Sequence, residues 1–356
     1  RMGNLLAYSG LTTKVKAMQS RLITSAQLQE MASLESVSAC VDYLKRQPAY
    51  ETVLGSAESG ELHRGVIEQY LKLSEYQDFD RLYRFSNLTQ RKFLDFYFMH
   101  YEVAFLKRCL RSIIGHSPLD LDLSVFQQFF DSRSSLNFSK IAEAKNLTDF
   151  TAALEGSVFY PLLSSLSREN TVSLFDYENG LDMFYFKTMW QVMNKKMKAS
   201  DKKILVQCFG SRMDMLNIQW IYRCKQFYHL APSDIYAVLI PIQYRLKASD
   251  IHTLTESETM DGFFSALQST WDKRELEAIR TRHPNPEILA NQVNEHIHQY
   301  TSQKDPYSIA ILNAYLYRKD REIQQLITII ESIRYGVPSQ TIINSITNPI
   351  KGGLVS

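Results

Sequence analysis

The chain has 356 residues, with 40 Lys and Arg against 38 Asp and Glu, 45% hydrophobic residues, and only 13 Gly and 10 Pro. A net charge of +2 provides no global field to select nucleic acid or an anionic bilayer, and the length suits two or three domains rather than one. The four cysteines, Cys40, Cys109, Cys208 and Cys224, form no CxxC pair, which predicts reduced, intracellular thiols rather than a disulfide framework.

Taken in chain order, the pattern predicts helices. A short amphipathic helix is expected after Ser33, followed by a polar loop over 55–60. Residues 61–85 carry Val66, Ile67, Tyr70, Leu71, Phe79, Leu82 and Tyr83 as a helical stripe. Asn87, with Gln90 three residues on, marks a capping box for a helix over 88–114. That helix is apolar nearly all round, which places it at the centre of a bundle, and Gly115 and Pro118 stop it. Its most apolar stretch, 93–106, contains Asp95, His100 and Glu102 and is 14 residues long, short of the roughly 20 a membrane span requires. No signal peptide is expected ahead of the first helix.

A second short helix follows Asn146, then a helix over 176–198, a turn at Ser200 and Asp201, and a helix over 202–228. A third short helix follows Thr259. Another starts near Pro286, and a last long one is expected to take Asp305 as cap and Pro306 as first residue, running to 334 before Gly336 and Pro338. Ser339–Ile346 adds a final turn, and 347–356 is expected to be a loose tail. With no convincing strand, the fold class is all-α.

The three short helices belong to one motif that recurs every 113 residues without a gap. Seven columns agree in type: Leu28/Ile141/Leu254, Glu30/Glu143/Glu256, Ser33/Asn146/Thr259, Leu34/Leu147/Met260, Val37/Phe150/Phe263, Cys40/Ala153/Ala266 and Val41/Leu154/Leu267. The third column offers side-chain oxygens suited to capping a helix start, and the apolar columns after it draw one buried stripe. A chain using one unit three times is expected to form a pseudo-threefold object, with domains over 1–119, 120–243 and 244–348 and a tail over 349–356.

A search for chemistry is nearly empty. No phosphate loop, GxGxxG, HExxH or DDxxD stands in the chain, so no catalytic residue, cofactor site or metal site is expected. His296 and His298 lie two apart on a helix, point in different directions, and are expected on an exposed polar face. Asp214 and Asn217, one turn apart, are expected to clip neighbouring helices by hydrogen bonds. Lys195, Lys196, Lys198, Lys202 and Lys203 bracket the tip of one helical hairpin, Arg84, Arg91 and Lys92 the tip of another, and Lys304 a third. If pseudo-symmetry relates these tips, they present positive charge to an acidic or polar ring-shaped partner.

Three stretches carry a resemblance that covers nearly the whole chain. They are YSGLTTKVKAMQSRLIT at 8–24, RMDMLNIQWIYRCKQF at 212–227, and DPYSIAILNAYLYRKDREIQQLITIIESIRYGVP at 305–338. The second holds Asp214, Asn217 and Arg223 in a D-x-x-N-[IL]-x-x-x-x-R order, and the third follows P…Y…K-x-x-E…G-[LV]-P. The chain thereby resembles the C-subunit family of V-type and archaeal A-type rotary ATPases, whose eukaryotic relatives are called d subunits. The first unit departs from the pattern, with Tyr101, Glu102, Val103 and Ala104 where D-x-x-N would stand.

The resemblance implies three helical domains arranged as a funnel with a central cavity. It implies a non-catalytic connector, holding no cofactor, on the cytoplasmic side of the membrane as a peripheral protein. Its partners would be the membrane rotor ring of proteolipid subunits and the D and F subunits of the central stalk, with no nucleic acid and no small-molecule substrate. The alternatives are a soluble helical scaffold binding another helical partner, whose period would be nearer 30–50 residues, and an all-α enzyme with a central cavity.

Overall fold

The computed structural model describes residues 2–55, 57, 64–119, 122–169, 172–270 and 285–346, and among these the chain is all-helical with no strand. The expected loop at 55–60 lies mostly outside the described residues, and the expected tail entirely so. The fold divides into two compact units, Arg1–Met189 with Lys319–Ile343, and Trp190–Arg318 with Asn344–Ser356. The division falls within helices Leu174–Lys196 and Ile309–Arg334.

The repeated motif is a helix-turn-helix in each copy: Ser25–Ala32 with Val37–Lys45, Phe138–Glu143 with Leu147–Ala153, and Ala248–Glu256 with Met260–Thr270. Burial follows the first and last columns, while Leu34, Leu147 and Met260 are half-buried. Leu28, Ile141 and Leu254 are buried, as are Val41, Leu154 and Leu267, while Glu30, Glu143 and Glu256 are exposed. The expected cap holds in two copies, where Asn146 Oδ1 accepts from the Asp149 amide at 2.8 Å and Thr259 Oγ1 from Gly262 at 3.1 Å. In the first copy it does not. Ser33 ends the preceding helix, its hydroxyl donating to Gln29, and Ser36 caps Val37–Lys45 by accepting from the Ala39 amide. In that copy the first helix runs further and the turn is longer, which together move the cap from Ser33 to Ser36, a shift to which an ungapped spacing is blind.

In the first unit, helix Arg64–Phe85 runs beside 88–114, where Phe93, Leu94, Tyr97, Phe98, Tyr101, Phe105, Leu106 and Leu110 are all buried as the pattern required. The second of these helices is interrupted at Phe98 into Leu88–Tyr97 and Met99–Ile114, where the Tyr101 amide reaches back only three residues to the Phe98 carbonyl. Such local tightening keeps a helical course while breaking its register. Helices Ser124–Asp131 and Phe138–Glu143 add aromatic surface: Phe129 stacks on Tyr76 with ring centres 4.2 Å apart, and Phe138 stacks on Phe105 at 4.4 Å.

The C-terminal half of Ile309–Arg334 brings a charged group into this unit. Lys319, only 1% exposed, donates to Ser74 Oγ at 3.0 Å and to Tyr50 Oη at 3.4 Å, and lies 3.4 Å from Asp78 and 3.6 Å from Glu322. Tyr50 Oη donates in turn to Glu322 at 2.5 Å. Lys319 and Glu322 are the K-x-x-E of the C-terminal stretch. Beside them, His100 Nε2 meets Asp320 at 3.2 Å and Glu75 lies buried next to Lys72. This helix begins at Ile309 with Ser308 bonded to the Ala310 amide, not at Asp305 and Pro306, because Asp305 closes the preceding helix instead.

In the second unit, Ala199–Gln226 and Pro286–Lys304 pack antiparallel: Cys208 faces Thr301, and three turns on Gln219 and Arg223 both donate to Glu287 at 2.6 Å. The turn before Ala199 falls at Met197 and Lys198, so Ser200 and Asp201 lie inside the helix rather than in the turn. Asp201 is buried there, and burial raises its carboxyl above the usual range against the pull of Lys198. His298 is 4% exposed and stacks on Tyr317 at 4.0 Å. The expectation of an exposed face therefore holds for His296 alone; burial drives His298 down to about 3, so it is neutral.

Asp214 and Asn217 are fully buried, but what they hold is a loop rather than a neighbouring helix. Asn217 exchanges two bonds with the backbone of Ile240, and Asp214 accepts from the amides of Tyr244, Arg245 and Leu246 at 3.2, 2.7 and 3.1 Å. These amides lead directly into the third helix-turn-helix. The same device recurs where no D-x-x-N stands. Glu102 accepts from Ser134 Oγ at 2.6 Å, just ahead of the second helix-turn-helix, with a separation of 32 residues in both cases. Glu322 accepts from the amide of Ile23, just ahead of the first. Met99–Ile114, Ala199–Gln226 and Ile309–Arg334 thus each turn one carboxylate to the segment entering a short helix pair.

Gly210 lies one turn before Asp214, and a Cβ there would stand 2.5 Å from Tyr244 Cγ. Gly210→Ala should therefore destabilise the protein by about 1–3 kcal/mol through overpacking. In a Tyr244→Ala background the same change should stabilise it by up to about 1 kcal/mol, the helix preference of Ala over Gly. Equal effects in both backgrounds, measured by denaturant unfolding, would contradict close packing at this site.

Glu75 is pushed up from 4.5 to about 8, chiefly by burial, with Asp320 adding to the shift and Lys72 opposing it. A carboxyl raised in the folded state binds more protons folded than unfolded, so its contribution is present at low pH and lost as pH climbs from 4.5 towards 8. Glu75→Gln should flatten the decline of stability across that window, readable as the unfolding midpoint against pH.

Candidate partner interface

Each of the three basic tips lies where one helix gives way to the next. In the first unit, Asn87 and Gln90 form the expected capping box, each side chain accepting the other's amide at 2.9 Å. Arg91 is not free at this tip. Its Nε donates to the Tyr83 carbonyl at 2.9 Å and its guanidinium covers the Tyr83 ring, so it staples the turn. Arg84 and Lys92 are exposed. Arg84 also borders a cavity of about 460 Å³ shared with Tyr76, Phe129 and Arg133.

The second unit gathers Lys195, Lys196, Lys198, Lys202 and Lys203 around one turn. Lys202 Nζ reaches the Asn194 carbonyl at 3.4 Å and so caps the end of Leu174–Lys196, while Lys195, Lys198 and Lys203 extend into solvent. Cations beside the last carbonyls of a helix are stabilised by its dipole. Lys304 stands at the end of Pro286–Lys304, bonded to Tyr300 Oη at 3.1 Å, which raises its ammonium above the ordinary value.

Charge is not the whole of these tips. Phe85 is 56% exposed, Leu88 83%, and Tyr300 and Tyr307 44% and 39%. Their signal in the sequence is apolar or aromatic residues beside helix ends, where no core position is available. Among the described residues no group of three or more His, Cys, Asp or Glu is placed to hold a metal ion, and no helix is long and apolar enough to cross a membrane.

The profile of the ATP synthase (C/AC39) subunit family matches residues 11–345. Among curated relatives, the A-type ATP synthase C subunit of Pyrococcus abyssi is 24% identical over 343 residues, covering 94% of this chain and 89% of the relative. The C subunit of Thermococcus kodakarensis is 21% identical over 339 residues with the same coverage, and that of Archaeoglobus fulgidus 20% identical over 350 residues, covering 96% of each. The match runs through the repeats, the carboxylate clips and the K-x-x-E helix alike, and the chain belongs to the ATP synthase (C/AC39) subunit family, that of the rotary-ATPase C subunit.

Proposed function

We propose that this chain is a non-catalytic connector of the central stalk, coupling a membrane rotor ring to the D and F stalk subunits and passing torque between them. The family match over 11–345 carries this reading. The recurrent helix-turn-helix units support a three-domain funnel, and the funnel would seat the stalk on the cytoplasmic side of the membrane. A connector under torque must not shear within itself. Carboxylates that fix the entry to each repeated unit suit that demand, because a buried, hydrogen-bonded clip resists sliding where flexible linkers would yield.

The basic tips are the proposed contact points, with Arg84, Lys92, Lys195, Lys196, Lys198, Lys203 and Lys304 facing partners while Arg91 and Lys202 stabilise the turns. Interfaces built on exposed charge bind in a salt-dependent way. Replacing Lys195, Lys196 and Lys198 together by Glu should weaken capture of the partner stalk and ring proteins by tenfold or more at low salt, on the order of 0.5 kcal/mol or more for each reversed charge. Pull-down with co-expressed partners measures this. Undiminished capture at low salt would remove the lysine tip from the interface, and absence of any capture by the unmodified chain would overturn the connector reading.

A further inference from the structure

Residues 2–24 and 81–94 contain seven lysines and arginines and no Asp or Glu, so the rest of the chain holds more acidic than basic residues. The structure joins these two segments. Helix Met2–Gln19 packs on Arg64–Phe85, Lys14 Nζ lies 4.7 Å over the Phe85 ring, and Gln90 Nε2 donates to the Ala7 carbonyl at 3.0 Å. Tyr8, Leu11, Val15 and Met18 bury one face of the first helix, leaving Leu6, Ser9, Gly10, Thr13, Lys16 and Ala17 along the other.

The acids bordering this surface have partners. Asp78 bonds Arg81 and faces Lys319, Asp80 bonds Arg133, and Asp95, exposed one turn beyond Lys92, bonds Tyr83. What remains outward is cationic and apolar together: Leu6 is 81% exposed, Leu88 83%, Phe85 56% and Leu5 45%, with Lys16, Arg84 and Lys92 in solvent. The middle of the outer helix face carries only small and hydroxyl side chains, with open space above Gly3 and Gly10. An acidic protein partner would be met by cations alone. Exposed aliphatic side chains beside a majority of cations suit an interface that is anionic at its surface and apolar just beneath it.

We propose that the outer face of helix Met2–Gln19 and the adjoining 84–92 turn form a contact surface for an anionic phospholipid bilayer. Lys16, Arg84 and Lys92 meet the headgroups, and Leu5, Leu6, Phe85 and Leu88 enter the headgroup–acyl boundary. The surface rests on the reading of the chain as a subunit apposed to a membrane, and it assigns to lipid one tip that the same reading left to protein partners.

The full chain should co-sediment with vesicles of phosphatidylglycerol and phosphatidylcholine in equal parts, and not with phosphatidylcholine alone. Raised salt should release it. Arg84→Glu with Lys92→Glu should weaken vesicle binding by more than tenfold, as a basic side chain near such a surface is worth about fivefold. Leu6→Ser with Leu88→Ser should weaken it by about tenfold at every salt concentration. All four side chains are on the surface, so circular dichroism should stay unchanged. Equal binding to both vesicle types, or anionic binding untouched by both double variants, overturns the proposal. Capture by stalk and ring proteins, assayed in parallel, judges the connector reading separately. If the double variants lose that capture but keep vesicle binding, the surface belongs to a protein and the lipid assignment fails.

Discussion

An ammonium group that is 1% exposed survives in a folded protein only if its surroundings replace the water it has lost, and around Lys319 they do. A serine hydroxyl, a tyrosine hydroxyl and two carboxylates close on it, contributed by the segment around Tyr50, by helix Arg64–Phe85 and by its own helix. Removing one member of such a set would strand a buried charge, typically at about 3–5 kcal/mol. The consequence is topological. The C-terminal helix is bound to Tyr50, 269 positions earlier, and the first unit is complete only when the chain has returned to it.

Glu322 extends that linkage to the opening of the chain through the Ile23 amide, and in doing so follows a rule that two other helices share. Asp214 and Glu102 perform the same task for the segments ahead of the third and second helix pairs. The chemistry is constant while the residues differ. An Asp held by three amides, a Glu held by one serine hydroxyl and a Glu shared between a tyrosine and an amide all fix the entry to a short helix pair. Burial raises the carboxyls of both Asp214 and Glu102 above the usual range, and the donors around them pull the other way.

The helix ends and turns combine two kinds of cation. Arg91 and Lys202 reach carbonyls across their turns and complete the fold, whereas Arg84, Lys92, Lys195, Lys198 and Lys203 stay exposed. Type and position in the sequence are the same for both, so a basic cluster overstates the charge available to a partner. The first turn differs from the others in combining its cations with outward Leu and Phe side chains. That difference separates a surface able to enter a lipid boundary from one able only to attract an opposite charge.

The helical class, the 113-residue repeat, its buried columns and the caps at Asn87, Asn146 and Thr259 were legible in the amino-acid order, because each depends on residues within a few turns of one another. The clip at Asp214 was legible as a polar pair in an apolar helix, though not its loop partner. Lys319 and His298 were not legible as buried groups. A lysine in a polar stretch and a histidine two residues from another look solvated until helices distant in sequence close over them. The shift of the first cap to Ser36 and the diversion of Arg91 into a turn also escaped, as both are set by how a turn closes. Local order determined which segments became helices and which faces were apolar. Only the tertiary structure decided which charges were enclosed and which stayed in water, because desolvation depends on everything that surrounds a group and not on its neighbours in the chain.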